Sequence, residues 1–331
     1  MITRPTVLIL GAAASMPYGF PSGPDLKKLV FRALSEWHNT RRLPALLQHN
    51  GHTVEKIKKF QFDLGRSPDY SIDAFLEHHE DYIVIGKEAI AGVLLPNEKD
   101  SYLFENWLSR DAEKLEGSWY QHLFNELVVD TNINRFEKNQ LSVVTFNYDR
   151  SLEHFLFESL KSKFQGLQDC QCTAILSNIP IIHVYGSLGR LSWQKSDSDS
   201  EIPYNTRAIS SQPEEMAERI RNAGESIKIL HEYKRPTIEL NKAHELLREA
   251  ERIYFLGYGY NPVNTKRLLP GLLIKKENMW GTAYKISPHL KRKLAQMGMR
   301  NWIESRIRPL PHYFNQTIMD FLVNNPDSSL S

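Results

Sequence analysis

Cysteine is almost missing: 331 residues carry two, Cys170 and Cys172. A structural zinc site takes about four nitrogen or sulfur ligands and a disulfide framework takes several spaced pairs, so neither is expected. Charge of one sign is missing too. The 41 Lys and Arg stand against 39 Asp and Glu, a formal charge of +2, which is no electrostatic footprint for a phosphate backbone. Nucleic acid is set aside as a direct partner. No run approaches the roughly 20 apolar residues that span a bilayer, and MITRPTVLILGAAAS reaches Gly11 too soon for a secretory leader. A cytoplasmic chain without membrane contact is the expectation. The H-E-x-x-H pattern is absent as well. The neighbours His78 and His79 in FLEHHED would diverge by about 100° on a helix, so that cluster reads as a solvated helix face.

What is present alternates between two textures. Thr6–Leu10 is a short continuous apolar run closed by Gly11 and three alanines, as a fully buried strand would be. Comparable runs return at Leu141–Phe146, Ile179–Tyr185, Arg252–Leu256 and, more weakly, Ala283–Ile286. Helical spacing of apolar residues begins at Asp25, and convincing helices cover Ser151–Phe164 and Leu240–Ala250. Strands alternating with helices predict an α/β fold: a Rossmann-like parallel sheet with helices on both faces. Its segments are residues 1–39 and 141–290. Residues 40–140, rich in charge and helix formers, read as a helical insertion subdomain. The stretch 192–236 reads as a polar surface excursion with one helix near Glu214–Asn222. Residues 291–331 read as a helical extension with a frayed tail.

In an open parallel sheet, ligands bind beyond the carboxyl ends of the strands, where strand order reverses. Those ends carry GAAAS (Gly11 to Ser15), NYD (Asn147 to Asp149), HVYGSLG (His183 to Gly189) and GYGYNPVN (Gly257 to Asn264). GAAAS lacks the G-x-G-x-x-G fingerprint, since Ala13 holds its second glycine position, but small residues still allow a pyrophosphate to approach the backbone. A tight turn packed on a helix would ask for the same residues. Asn147 and Asp149, two apart in extended backbone, face one side; they serve either a ligand or an Asx turn capping the next helix. His183 offers the side chain that titrates nearest neutrality, or a satisfied structural imidazole.

The order and spacing of these four blocks resemble the sirtuin family, and more narrowly the sirtuin-like domains of bacterial anti-phage defence proteins. The resemblance implies an NAD site. Gly11, Ala12, Ala13 and Ser15 would line the pyrophosphate, with Phe20 from the GFP segment and Gly186 beside the cofactor. Asn147 would position the nicotinamide ribose and the attacking water, Asp149 would bind the carboxamide, and His183 would be the base. Gly257 and Tyr258 would approach the adenosine half.

Departures from the family shape the expectation. Deacylating sirtuins carry two C-x-x-C pairs and a GIPDFR block; here only Cys170 and Cys172 occur, and Ser22, Gly23 and Pro24 separate Pro21 from Asp25. The resemblance therefore implies an NAD hydrolase, releasing nicotinamide and ADP-ribose as the NAD-depleting effector of abortive infection, with NAD as substrate and no zinc. It also implies a homo-oligomer with a separately encoded partner, such as a HerA-type hexameric motor ATPase. Two alternatives stay open: NAD-dependent protein deacylation, and a non-catalytic NAD or ADP-ribose sensor.

Overall fold

TVLIL holds one polar residue in five, so it is stable only where both faces of a strand are covered. The structure is a computed structural model that describes residues 1–36, 42–105, 118–129, 133–194, 200–204, 212–229, 237–269, 279–284, 292, 301–305, 318–319, 321–323 and 330. Strand β1 (Thr6–Leu10) is buried at all five positions. With β2 (Leu141–Thr145), β3 (Ile181–His183), β4 (Arg252–Leu256), β5 (Met279–Tyr284) and β6 (Asn301–Ser305) it forms a six-stranded sheet of order 3-2-1-4-5-6. Every pairing is parallel. The chain lays down β1, β2 and β3 outward, then returns to the other side of β1 for β4. The reversal between β1 and β4 is the switch point where such sheets hold ligands. Register aligns the strand ends: Leu10 lies opposite both Thr145 and Leu256, and Thr145 opposite His183. Residues that follow these four strands therefore emerge at one level.

Among the described residues the helices are α1 (Ala12–Ser15), α2 (Gly23–Ala33), α3 (Leu43–His49), α4 (Val54–Arg66), α5 (Ile72–Glu77), α6 (Ile83–Leu94), α7 (Trp119–Val128), α8 (Ser151–Lys163), α9 (Asp169–Leu176), α10 (Pro213–Ser226), α11 (Ile238–Glu249) and α12 (Pro262–Leu268). Their starts follow local chemistry. Ser22, Thr53, Ser71 and Thr237 each accept a backbone N–H two or three residues into the helix, and Ser118 with Gln121 forms a reciprocal capping box before α7. None of these helices is long and apolar enough to cross a membrane.

The helical segment expected over 40–140 contains α3 to α7, with 106–117 and 130–132 outside the described residues. Its centre is α6, which buries Ile85, Ala89, Ile90, Ala91 and Leu94 and is apolar nearly all round because other helices cover it. One of those is α10. The reading of 192–236 as a surface excursion is corrected there: Ala217, Ile220 and Ala223 recur on one face of α10 and are buried against α6 and α3.

The carboxyl-terminal segment is corrected as well. The sheet continues past residue 290 with β6 in the sequence NWIES, a five-residue edge strand too short and too polar at its ends to give a clear period. Ile318, Phe321 and Leu322 are buried, and the Phe321 ring meets Tyr254 of β4 edge-on at 5.9 Å. Residues 318–319 and 321–323 are helical, as expected of this segment, Leu330 in the tail is buried, and most of the remainder lies outside the described residues.

One buried ion pair ties the chain's sections together. Arg150, just before α8, donates from Nε to Glu98 Oε1 (2.9 Å) and from Nη2 to Glu98 Oε2 (2.5 Å). Its Nη1 donates to the carbonyls of Gly189 (3.3 Å) and Ile202 (2.6 Å). Helical insertion, sheet and the 192–236 segment thus share one guanidinium, whose planar fork suits three acceptor groups at once.

Candidate functional site

At the switch point the loops after β1 and β4 are laced backbone to backbone. Gly11 N–H donates to the Leu256 carbonyl (3.1 Å) and Ala13 N–H to the Gly257 carbonyl (3.2 Å). The approach is too close for side chains. A Cβ on Gly257 would lie 2.1 Å from the Ala14 nitrogen, and Gly257 also has φ of +59°, the left-handed region that disfavours other residues. Its N–H is held by Thr282 Oγ1 of β5 (2.9 Å). Three residues on, Tyr260 takes φ of +49°, the one positive value outside glycine among the described residues. Such conformations cost about 1–3 kcal/mol each and cluster where a ligand is clamped.

The loop after β2 closes against the same lacework. Asn147 is 8% exposed. Its Nδ2 donates to the Gly11 carbonyl (3.1 Å) and the Ser15 hydroxyl (2.9 Å). Because a carbonyl can only accept, this fixes the amide orientation and leaves Oδ1 as the opposite arm. That oxygen is buried and has no hydrogen-bond partner. A buried acceptor without a donor costs about 1–3 kcal/mol, so it marks a place where a donor is missing.

Asp149 takes the Asx-turn role that its position allowed. Its Oδ1 accepts the Ser151 N–H (3.3 Å) and the Ser151 hydroxyl, forming the Asx turn that starts α8. The Ser15 hydroxyl bonds it too, so the same carboxyl borders Asn147. Burial pushes its pKa above the ordinary carboxylate value, against the pull of the serine donors. Tyr120, from α7 of the helical insertion, reaches Ser151 Oγ with its hydroxyl at 2.8 Å. Tyr148, between Asn147 and Asp149, donates its hydroxyl to Asp73 of α5. Trp119 Nε1 donates to the Ala14 carbonyl (2.9 Å). Three contacts from the insertion therefore bear on loops of the site.

His183 lies one step outside this group. Its Nδ1 is 2.8 Å from the Asn147 carbonyl and its Nε2 is 2.6 Å from Glu153 Oε1. The Asn147 carbonyl can only accept, so Nδ1 donates, and Nε2 and the Glu153 carboxyl share a proton. Burial alone would lower its pKa; the Glu153 carboxylate and the Asn147 carbonyl carry it above the ordinary value. In this arrangement His183 holds Asn147 in place, and both of its ring nitrogens are committed to partners.

The other expected residues divide. Gly11, Ala13, Ser15, Asn147, Asp149 and Gly257 are joined by the direct contacts above. Ala12 is half-buried in the same loop. Tyr258 belongs to an aromatic row, Tyr185 to Phe146 (5.5 Å) to Tyr258 (5.2 Å), laid across the ends of β3, β2 and β4. Phe20 reaches the group through a backbone hydrogen bond to Ser15, and Gly186 N–H donates to the His183 carbonyl (3.2 Å). Phe20 is part of the hydrophobic core, its N–H donating to the Ser15 carbonyl (3.4 Å). Gly186 is needed elsewhere: with φ of +67° it forms a bridge to Ile227, where a Cβ would strike the Ser226 carbonyl at 2.0 Å.

Sequence reasoning missed Ser151, Glu153, Tyr120 and Thr282. Ser151 and Glu153 carried a signal, a serine and a carboxylate in the first turn of α8, directly after the Asn147–Asp149 pair, and both are buried. Tyr120 and Thr282 carried none, since only the packing of α7 and β5 brings them near. No protein-family model matches this sequence, and no curated protein matches it.

Proposed function

We propose that the chain is an NAD hydrolase that releases nicotinamide and leaves ADP-ribose. The observation that carries this reading is the buried, unpartnered Oδ1 of Asn147 at the switch point, fixed by Gly11 and Ser15 and bordered by the Asp149 carboxyl. A ribose hydroxyl or a water is the donor that such an oxygen lacks. Departure of nicotinamide leaves an oxocarbenium-like sugar, and an amide acceptor locked in place lowers the entropic cost of orienting the sugar and the attacking oxygen. Asp149 offers a carboxyl whose raised pKa suits proton exchange or a hydrogen bond to a carboxamide. The small side chains of Ala12 and Ala13 would let a pyrophosphate approach the backbone of the β1–α1 loop. His183 serves through Asn147, as a positioning residue. By its resemblance to defence-type relatives, the hydrolase is held in check in a homo-oligomer until a separately encoded motor ATPase engages it.

A second reading, an NAD or ADP-ribose sensor, is favoured by one observation: both nitrogens of His183 are committed, so the base expected from sequence is not free. One experiment separates the two. Purified protein is titrated with NAD by calorimetry and incubated with NAD, alone and with a candidate motor ATPase, while nicotinamide is followed by chromatography, wild type beside Asn147→Ala. Hydrolysis predicts nicotinamide release under at least one of these conditions, falling on the order of 100-fold or more in the variant. Binding without release under either condition, lost in Asn147→Ala, selects the sensor. Wild-type protein that does not bind NAD overturns both.

A further inference from the structure

A cavity of about 620 Å³ opens at the outer edge of β3, and neither Gly11, Asn147 nor Asp149 lines it. That volume is in the range that encloses a small organic ligand. The site is built from three kinds of group. Its walls are apolar where Leu156, Leu176, Ile179 and Ile181 face it. Its charges are in positive excess: Arg190, Lys228 and Lys242 stand against Glu153 and Glu239, with His183 beside Glu153. Both acids are already claimed, Glu153 by His183 at 2.6 Å and Glu239 by Lys228 at 2.6 Å. Arg190 pairs with Glu201, outside the lining, at 3.1 Å. Lys242 makes no ion pair among the described residues. The cavity therefore favours an anion.

The third kind of group is directional. Trp193 Nε1 is buried in the wall with no hydrogen-bond partner, a donor without an acceptor. The ring itself is fixed, stacked on Phe157 at 4.7 Å and 3°. β3 is an edge strand, and its ladder to β2 runs through Pro180, Ile182 and Val184, since Val143 N–H donates to Pro180 and Val184 N–H to Thr145. In a parallel ladder the intervening residue turns its N–H and C=O the other way, so Ile181 offers a donor and an acceptor on the cavity side. Three residues flanked by α11 are too short an edge for an added peptide strand. They suit the edge of a planar heterocycle.

We propose that this cavity is a second ligand site, for a planar heterocycle bearing an anionic group, the chemical class of a nucleoside phosphate. The cations take the anion, Ile181 and Trp193 the polar edges, and the aliphatic wall the ring. The site stands apart from the NAD reading, because it shares with the Asn147 loop only His183, whose Nε2 side faces the cavity through Glu153 and whose Nδ1 holds the Asn147 carbonyl. A ligand here acts on Asn147 through that ring.

The test uses full-length Asn147→Ala protein, which disables the first site, titrated by calorimetry with ADP, adenosine and inorganic phosphate. The expected result is ADP binding, with adenosine and phosphate each at least tenfold weaker. Lys242→Glu, at an exposed helix position, and Trp193→Phe, which keeps the stacked ring and removes only the donor, should each weaken ADP about fivefold or more while circular dichroism is unchanged. ADP that fails to bind, or that binds either variant as tightly as the protein without it, overturns the proposal. Phosphate as tight as ADP overturns the heterocycle. Loss of NAD cleavage in wild-type protein would refute the hydrolase and leave this site standing.

Discussion

Residue by residue, the site turns on which polar atoms are satisfied. Asn147 is held at three points, through Nδ2, through its N–H to Thr145 Oγ1 (3.1 Å) and through its carbonyl to His183, and only Oδ1 is left over. The histidine's hold depends on charge and so on pH. Its folded pKa is raised, so the stabilisation it gives is fully present below the ordinary histidine value of 6.5 and is lost as pH rises through the raised value. His183→Gln keeps a donor for one partner but carries no charge. Urea denaturation from pH 6.5 upward should show wild type losing more stability than His183→Gln; parallel curves would mean that the pKa of the ring is not raised.

Between elements, the decisive contact is the one from the β1–α1 loop to the loop after β4. It needs Gly257 for two separate reasons, the left-handed backbone and the 2.1 Å approach to Ala14. Gly257→Ala should therefore cost at least about 2 kcal/mol and abolish NAD binding. Gly259, two residues on, has open space around it. Gly259→Ala should change stability by no more than about 0.5 kcal/mol, and similar losses for both variants would show that the loop is merely intolerant of side chains. Sequence made part of this visible. GAAAS and GYGY each announced a tight turn at a strand end, and the apolar runs of β1 and β4 placed them at one sheet level. That the two turns bond each other followed from strand order, which no local pattern encodes.

At the scale of the molecule, Arg150 joins the helical insertion, the sheet and the 192–236 segment. Removing one partner of a buried ion pair strands the other charge, so Arg150→Met should lower unfolding free energy by about 3–5 kcal/mol. Adding Glu98→Leu removes the stranded carboxylate, and the double variant should be more stable than Arg150→Met alone, though below wild type because the Gly189 and Ile202 carbonyls lose their donor. A double variant no better than the single would mean that Glu98 is compensated by another group. The insertion's closeness to the site, through Tyr120 to Ser151 and Tyr148 to Asp73, makes the same cycle informative for NAD binding.

The sequence by itself determined most of the central elements. Apolar runs marked β1, β2 and β4, helical spacing marked α2, α8 and α11, and small residues marked turns, because each rests on neighbours within one turn or one strand, whereas β6 had no clear period. Only the tertiary structure decided the roles at the site. That Asp149 caps α8 and also accepts from Ser15 depended on where Ser15 came to lie, and the hydrogen bonds of His183 depended on Glu153, thirty residues away on another element. Hydrogen-bond commitment is a property of the assembled neighbourhood, and a chain read in one dimension does not contain it.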